Sequence, residues 1–132
     1  MAKLTLEVFT PQGQILSADV DSVIAPGVVG EFEVLPEHLP ALLQLGGGSL
    51  RFRGESSGEI FVRGGVLEVT RTGIIVLTEE SQSLDQLNAQ KATAILDQSN
   101  ASLEQAEYLE DELFEQIRQD MAYAQSVLAK SK

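Results

Sequence analysis

Gly30-Glu31-Phe32-Glu33-Val34-Leu35-Pro36-Glu37-His38-Leu39-Pro40 is the stretch on which the reading of this chain turns. It sets two prolines, the sole histidine and three carboxylates among apolar residues. Pro36 and Pro40 each fix φ and remove a backbone donor, so neither fits inside a central strand or a helix. The stretch therefore reads as strand, turn, strand. Gly30 on one side and Gly46-Gly47-Gly48 on the other mark places where the backbone bends or passes close to another element.

Outward from this stretch, Leu4 to about Leu77 reads as a run of short strands, with turn residues interrupting aliphatic and polar alternation. Leu4, Leu6 and Val8 face one way. Pro11-Gln12-Gly13 turns the chain, Ile15 to Ile24 extends as far as Pro26-Gly27, and two short strands flank Pro36. Ser49 to Arg53 and Glu59 to Arg63 form a hairpin around Gly54 to Gly58, followed by Val66 to Thr70. Ile74 to Leu77 is apolar on both faces, the pattern of a buried strand. Eight or more strands at this spacing predict an antiparallel β-sandwich or flattened barrel over residues 1–82.

Near Ser81 the period changes to about 3.6 residues, and glycine and proline are absent from there on, so a helical module is expected over residues 83–132. Ser83 is the expected N-cap. Leu84, Leu87, Lys91 or Ala92, Ile95 and Leu96 trace one apolar stripe that fades at Ser99-Asn100; Leu109, Leu113, Ile117, Met121, Ala124 and Leu128 trace another. A break at Asn100 to Ser102 would fold the two helices into an antiparallel hairpin, with Leu87, Ile95, Leu113 and Ile117 at its interface. The expected fold class is α+β, a sandwich followed by a helical hairpin.

Composition excludes several functions. Nine basic and 20 acidic side chains give a net charge of -11, which repels nucleic acid and anionic lipid. With no cysteine and one histidine, disulfides, thiolate catalysis and zinc clusters are not expected. No apolar run approaches the roughly 20 residues of a membrane span, and the N-terminus alternates like a strand rather than a targeting signal. These features fit a soluble cytoplasmic protein of bacterial type, or one made inside an organelle. Carboxylate pairs at Glu31 and Glu33, Glu79 and Glu80, and Glu110 to Glu112 read as solvated faces of an acidic chain rather than acid and base of a glycosidase. His38 beside Glu37 has no nucleophile motif to serve, and the glycine clusters lack the Lys-Ser/Thr of a phosphate loop. An interaction protein is expected, with no catalytic residue, metal or cofactor.

Gly30-Glu31-Phe32, Val34-Leu35-Pro36, His38, Pro40 and Leu42-Leu43 together resemble the signature of the ε subunit of F-type ATP synthases. Leu4 to Val8, Ala25-Pro26-Gly27, Val62 to Val69 and Ile75 to Thr78 follow in the same order and spacing, so the resemblance covers nearly the whole chain. It implies a non-catalytic rotor subunit coupling the γ subunit to the membrane c-ring as a peripheral protein, on the cytoplasmic face of a bacterial inner membrane or its thylakoid equivalent. Glu31, Phe32, His38 and Leu42 match positions near the γ and c-ring contacts. The resemblance also implies a hairpin that can open and reach α and β subunits to inhibit ATP hydrolysis. A single helix from Asp85 to Lys132 would span about 70 Å at about 1.5 Å per residue.

Two departures stand out. Glu33 and Glu37 replace glycines usual in the family, making this edge bulkier and more negative. Where ATP-binding members carry Ile/Leu-Asp-x-x-Arg-Ala, this chain has Leu84-Asp85-Gln86-Leu87-Asn88-Ala89, with asparagine for arginine. An acidic module without that guanidinium implies weak or no ATP binding. The acidic second helix also argues equally for a structural hairpin, since like charges would oppose its docking on a β subunit. The rival readings are a carbohydrate-binding or enzymatic sandwich, disfavoured by the absence of tryptophan, and a free-standing adaptor.

Overall fold

The computed structural model describes residues 4–84, 87–105 and 110–131. Its strands are β1 (Leu4–Thr10), β2 (Gly13–Gly27), β3 (Gly30–Val34), β4 (Ala41–Gly54), β5 (Gly58–Val69), β6 (Gly73–Leu77) and β7 (Ser81–Ser83). Hydrogen bonding runs β1-β6-β5-β4-β2-β3, and a further β1–β2 pairing returns β2 to the start, so five strands close on themselves into a flattened barrel. β3 extends the edge at β2, and β7 pairs with β5. Closure gives each of the five barrel strands a partner on both sides, leaving only the short β3 and β7 as edges among the described residues.

Alternation along the strands builds the core. Leu4, Leu6 and Val8 on β1 turn inward, joined by Val20, Val23, Val34, Leu45, Leu50, Val62, Leu67, Ile74 and Val76, all essentially inaccessible to solvent. Each such side chain contributes about 1.5–3 kcal/mol relative to exposure. Pairings are antiparallel except β1 with β6, which run parallel, Leu6 opposite Ile74 and Val8 opposite Val76. The parallel pair arises because β1 has β2 on its other side and can meet the later strand only as the barrel closes.

Several strand boundaries differ from the sequence reading. The triple glycine does not separate strands; it lies within β4, which bends there, with a register shift against β2 between the Ile24–Arg51 and Gly27–Leu45 pairs. Glu59 to Arg63 and Val66 to Thr70 are parts of one strand, β5, because Gly64 and Gly65 adopt positive φ without ending the ladder. β6 is not buried on both faces: Ile75 is half-buried and Leu77 is half-exposed.

Two helices follow, α1 (Ala89–Gln105) and α2 (Asp111–Ser131). Ser83 does not cap α1, since it ends β7 opposite Ile60. Asn88 does: its Oδ1 accepts a hydrogen bond from the Lys91 backbone N–H at 2.9 Å, three residues into the helix. Nor does the chain break at Asn100 to Ser102. Serine and asparagine are only modest helix formers and neither glycine nor proline intervenes, so α1 runs on to Gln105. Ala92 and Ile95 near the start of α1 pack with Tyr123, Ala124 and Val127 near the end of α2, so the helices are antiparallel.

Candidate functional site

Two regions carry the residues singled out by sequence: the edge from Glu31 to Leu42, and the hairpin with its seat on the barrel. At the edge, the Leu35 carbonyl accepts from the His38 N–H at 3.1 Å, with Pro36 and Glu37 between. Proline at the second position and φ of +70° at Glu37 make this a type II turn, whose third position normally takes glycine. Glu37 thus occupies a left-handed conformation that costs a side-chain-bearing residue about 1–2 kcal/mol. His38 is exposed, with Nδ1 2.7 Å from the Leu39 carbonyl oxygen.

The four expected contact residues are not clustered. Glu31 sits opposite Pro26, near the β2–β3 turn, and forms a 3.1 Å ion pair with Arg51 on β4. His38 lies beyond Val34, at the other end of β3. Phe32 is half-buried against the core. Leu42, on β4 opposite Glu68, is 69% exposed, and Leu39 is 80% exposed. Glu31, His38, Leu39 and Leu42 are thus displayed on surface, whereas Phe32 acts from below.

The hairpin sits on β4 and β5 through α2. A Cβ built on Gly47 would lie 2.0 Å from the Gln119 carbonyl oxygen and 2.7 Å from the Tyr123 nitrogen, so the backbones of strand and helix meet directly. That close approach buries Tyr123 completely beside Phe61. Burial pushes the Tyr123 phenol up to about 12, reinforced by the Glu80 charge. Among the described residues its hydroxyl makes no well-formed hydrogen bond, nor does the nearby Gln82 Nε2, although the Gln82 amide is close enough to temper the rise. Gln82 Oε1 accepts from the Asn88 N–H at 2.8 Å, tying β7 to the start of α1.

Beside this packing lies a charged network absent from the sequence reading. Arg63 on β5 donates through Nε to Asp120 of α2 at 2.7 Å and through a terminal nitrogen to Glu80 at 3.0 Å. Glu80 also pairs with Lys91 of α1. The Asp120 hydrogen bond, joined by that of Glu80, raises the Arg63 pKa against the opposing effect of partial burial. At the far end of α2, Lys130 lies 3.4 Å from Glu59, which is bonded to Ser49. An arginine beside two glycines, between the apolar runs Ile60-Phe61-Val62 and Val66-Leu67, was the signal in the sequence for this network.

Of the expected hairpin residues, Ile95 and Ile117 are buried and Leu87 packs against the helical cluster, while Leu113 is half-exposed. Leu113 lines a cavity of about 490 Å³ between the tip halves of the helices, with Gln98, Ser99, Ser102 and Gln116 on its walls and Arg63 and Asp120 at its base. The hairpin is zipped by apolar side chains at its base and lined by more polar ones toward its tip. In the altered nucleotide motif, Leu84 is half-exposed, Ala89 begins α1 and Asn88 caps it; Asp85 lies outside the described residues, as does Leu109 of the second stripe. Among the described residues no group of His, Cys, Asp and Glu is arranged to hold a metal ion, and no helix is long and apolar enough to cross a membrane.

Residues 3–83, the whole barrel, match the family of ATP synthase delta/epsilon chain β-sandwich domains. The chain belongs to the ATP synthase delta/epsilon family. An ATP synthase epsilon chain of Syntrophotalea carbinolica is 38% identical over 102 residues, covering 76% of this chain and 74% of the relative. That of Desulfosudis oleivorans is 39% identical over 103 residues, 76% and 77% of the two chains. A chain in the cryo-EM structure of the Euglena gracilis mitochondrial ATP synthase shares the fold, with a TM-score of 0.74 at 19% identity, over 100% of this chain and 83% of its own. As an epsilon-type chain it is a non-catalytic subunit of ATP synthase.

Proposed function

We propose that the chain is the epsilon subunit of the central stalk of a proton- or sodium-driven F-type ATP synthase, joining the γ subunit to the c-ring. The observation that carries this reading is the similarity to epsilon chains over about three quarters of both partners' lengths. Residues 1–82 form the coupling part, and Glu31, Phe32, His38 and Leu42 belong to its contacts with γ and the c-ring. Proline-pinned turns present such groups at low entropic cost, which suits a joint that bears torque. The subunit is peripheral, held on the membrane face that carries the catalytic head, cytoplasmic in a bacterium.

Residues 83–132 form the hairpin part, which regulates hydrolysis by leaving the barrel and engaging α and β subunits, or braces the stalk while docked. The groove between its helices is ill suited to a nucleotide: its cationic group, Arg63, already faces two carboxylates. Weak or no ATP binding follows, and saturable heat on titration with MgATP would refute it.

The test is capture of the tagged chain from its own cells. Recovery of γ with α and β supports the assignment, and Leu42→Glu should reduce that recovery without altering the fold, because the side chain is exposed. Deleting residues 84–132 accelerates hydrolysis by the captured complex if the hairpin inhibits, and leaves it unchanged if the hairpin only braces. Capture of no ATP synthase subunit refutes the proposal.

A further inference from the structure

The two parts of this chain carry net charge of the same sign. Residues 1–82 carry 5 basic and 11 acidic side chains, and residues 83–132 carry 4 and 9, so an acidic hairpin rests on an acidic barrel. At the contact, however, charges alternate in sign. Arg63 of the barrel meets Asp120 of α2, Glu80 meets Lys91 of α1, and Glu59 meets Lys130 at the end of α2. Arg63 also holds Glu80, so one guanidinium joins β5, the segment before β7 and α2, and through Glu80 reaches α1. Arg63, Glu80 and Asp120 are each less than a quarter exposed, where screening is weaker than at open surface.

We propose that Arg63 is the hub of an ionic latch that holds the hairpin on the barrel against their mutual repulsion, with Asp120 as its release point. The proposal rests on the reading that the hairpin can leave the barrel. Of the two side-chain partners of Arg63 only Asp120 is carried by a helix, so breaking that bond frees α2 from the guanidinium while the Arg63–Glu80 pair stays within the barrel part. The neighbouring Gln116 also donates to Asp120, at 3.0 Å, and orients the carboxylate from one turn away.

The sign of the effect separates a latch from general electrostatics. Asp120→Asn removes a negative charge from an acidic hairpin, so repulsion alone would make docking stronger. The latch makes it weaker, by about tenfold or more in the docked-to-undocked ratio, the effect of losing a charge-assisted bond.

The full chain has no cysteine, so a fluorophore pair can be placed cleanly at Ser57→Cys on the β4–β5 loop and Gln125→Cys on the exposed face of α2. Gly47→Leu, which thrusts a side chain into α2, is the control that forces opening. The expected result is longer distances in Gly47→Leu, Asp120→Asn and Arg63→Gln, with the double variant of Arg63 and Asp120 no more open than the more open single. Arg118→Gln, which removes a charge of α2 whose ion pair, with Glu115, lies within the same helix rather than across the contact, should leave the distance unchanged. Unchanged or shorter distances in Asp120→Asn beside an opened Gly47→Leu overturn the latch. An unchanged Gly47→Leu overturns the premise that the hairpin leaves the barrel. Circular dichroism and the melting of the barrel exclude loss of folding as the cause of any opening.

Discussion

Gly47→Ala tests the seat of the hairpin with a single methyl group. The new Cβ would stand 2.0 Å from the Gln119 carbonyl oxygen, against a comfortable separation of about 3.5 Å, and 2.7 Å from the Tyr123 nitrogen. Both obstacles are helix backbone, so no rotamer change relieves the clash and α2 must retreat by roughly 1.5 Å. Retreat opens a gap beside Tyr123, Ala124 and Val127, all fully buried, and a gap of 0.5–1 Å already forfeits about a quarter to a half of each contact's attraction. Overpacking of this kind costs about 1–3 kcal/mol, and the loosened cluster places this case in the upper part of that range. At about 2–3 kcal/mol the docked-to-undocked ratio falls by roughly 30- to 160-fold. Gly46→Ala is the matched control, since its Cβ would meet the Gly27 carbonyl oxygen at an ordinary 3.5 Å. Amide hydrogen exchange is the assay: helices this short are marginal alone, so undocking accelerates exchange in α2 while β1 and β6 keep their protection. Equal protection of α2 in wild type and Gly47→Ala would refute the reasoning, as would equal losses in the two variants.

Two further expectations come from the turn and from the buried phenol. Glu37→Gly relieves the left-handed strain of about 1–2 kcal/mol but enlarges the freedom of the unfolded chain, leaving a net gain of about 0.5–1 kcal/mol; a barrel that melts lower than wild type would contradict it. Tyr123 is held neutral in the docked state, with its pKa raised to about 12. Its contribution to docking is therefore complete below pH 10 and is lost as pH rises through 12, where the exposed phenol ionises more readily. Tyr123→Phe should abolish that alkaline release while docking at pH 7 is unchanged or stronger, because among the described residues the hydroxyl it removes makes no well-formed hydrogen bond. Weaker docking of the phenylalanine variant at pH 7, followed by hydrogen exchange, would show that the hydroxyl is bonded after all.

What the sequence determined by itself was everything carried by local period and local stereochemistry. Alternation at Leu4, Leu6 and Val8 announced β1, the loss of glycine and proline after Ser81 announced helices, and Pro36 placed a turn that the structure makes with Leu35 and His38. The motif around Glu31 to Pro40 carried the family. Boundaries were less legible where two local signals competed: Asn88 rather than Ser83 caps α1, because Ser83 is drawn into a strand by β5, a partner some 20 residues distant in sequence. Only the tertiary structure decided which neighbours the special residues meet. Gly46-Gly47-Gly48 signalled a close approach, but nothing local said that Gly47 alone of the three faces the α2 backbone. Arg63 and Asp120 stand 57 residues apart, and each looks like an ordinary surface charge until the barrel closes and the hairpin folds back to bring them within 2.7 Å. Period is written along the chain and can be read there; pairing between distant charges exists only after packing has chosen which faces meet.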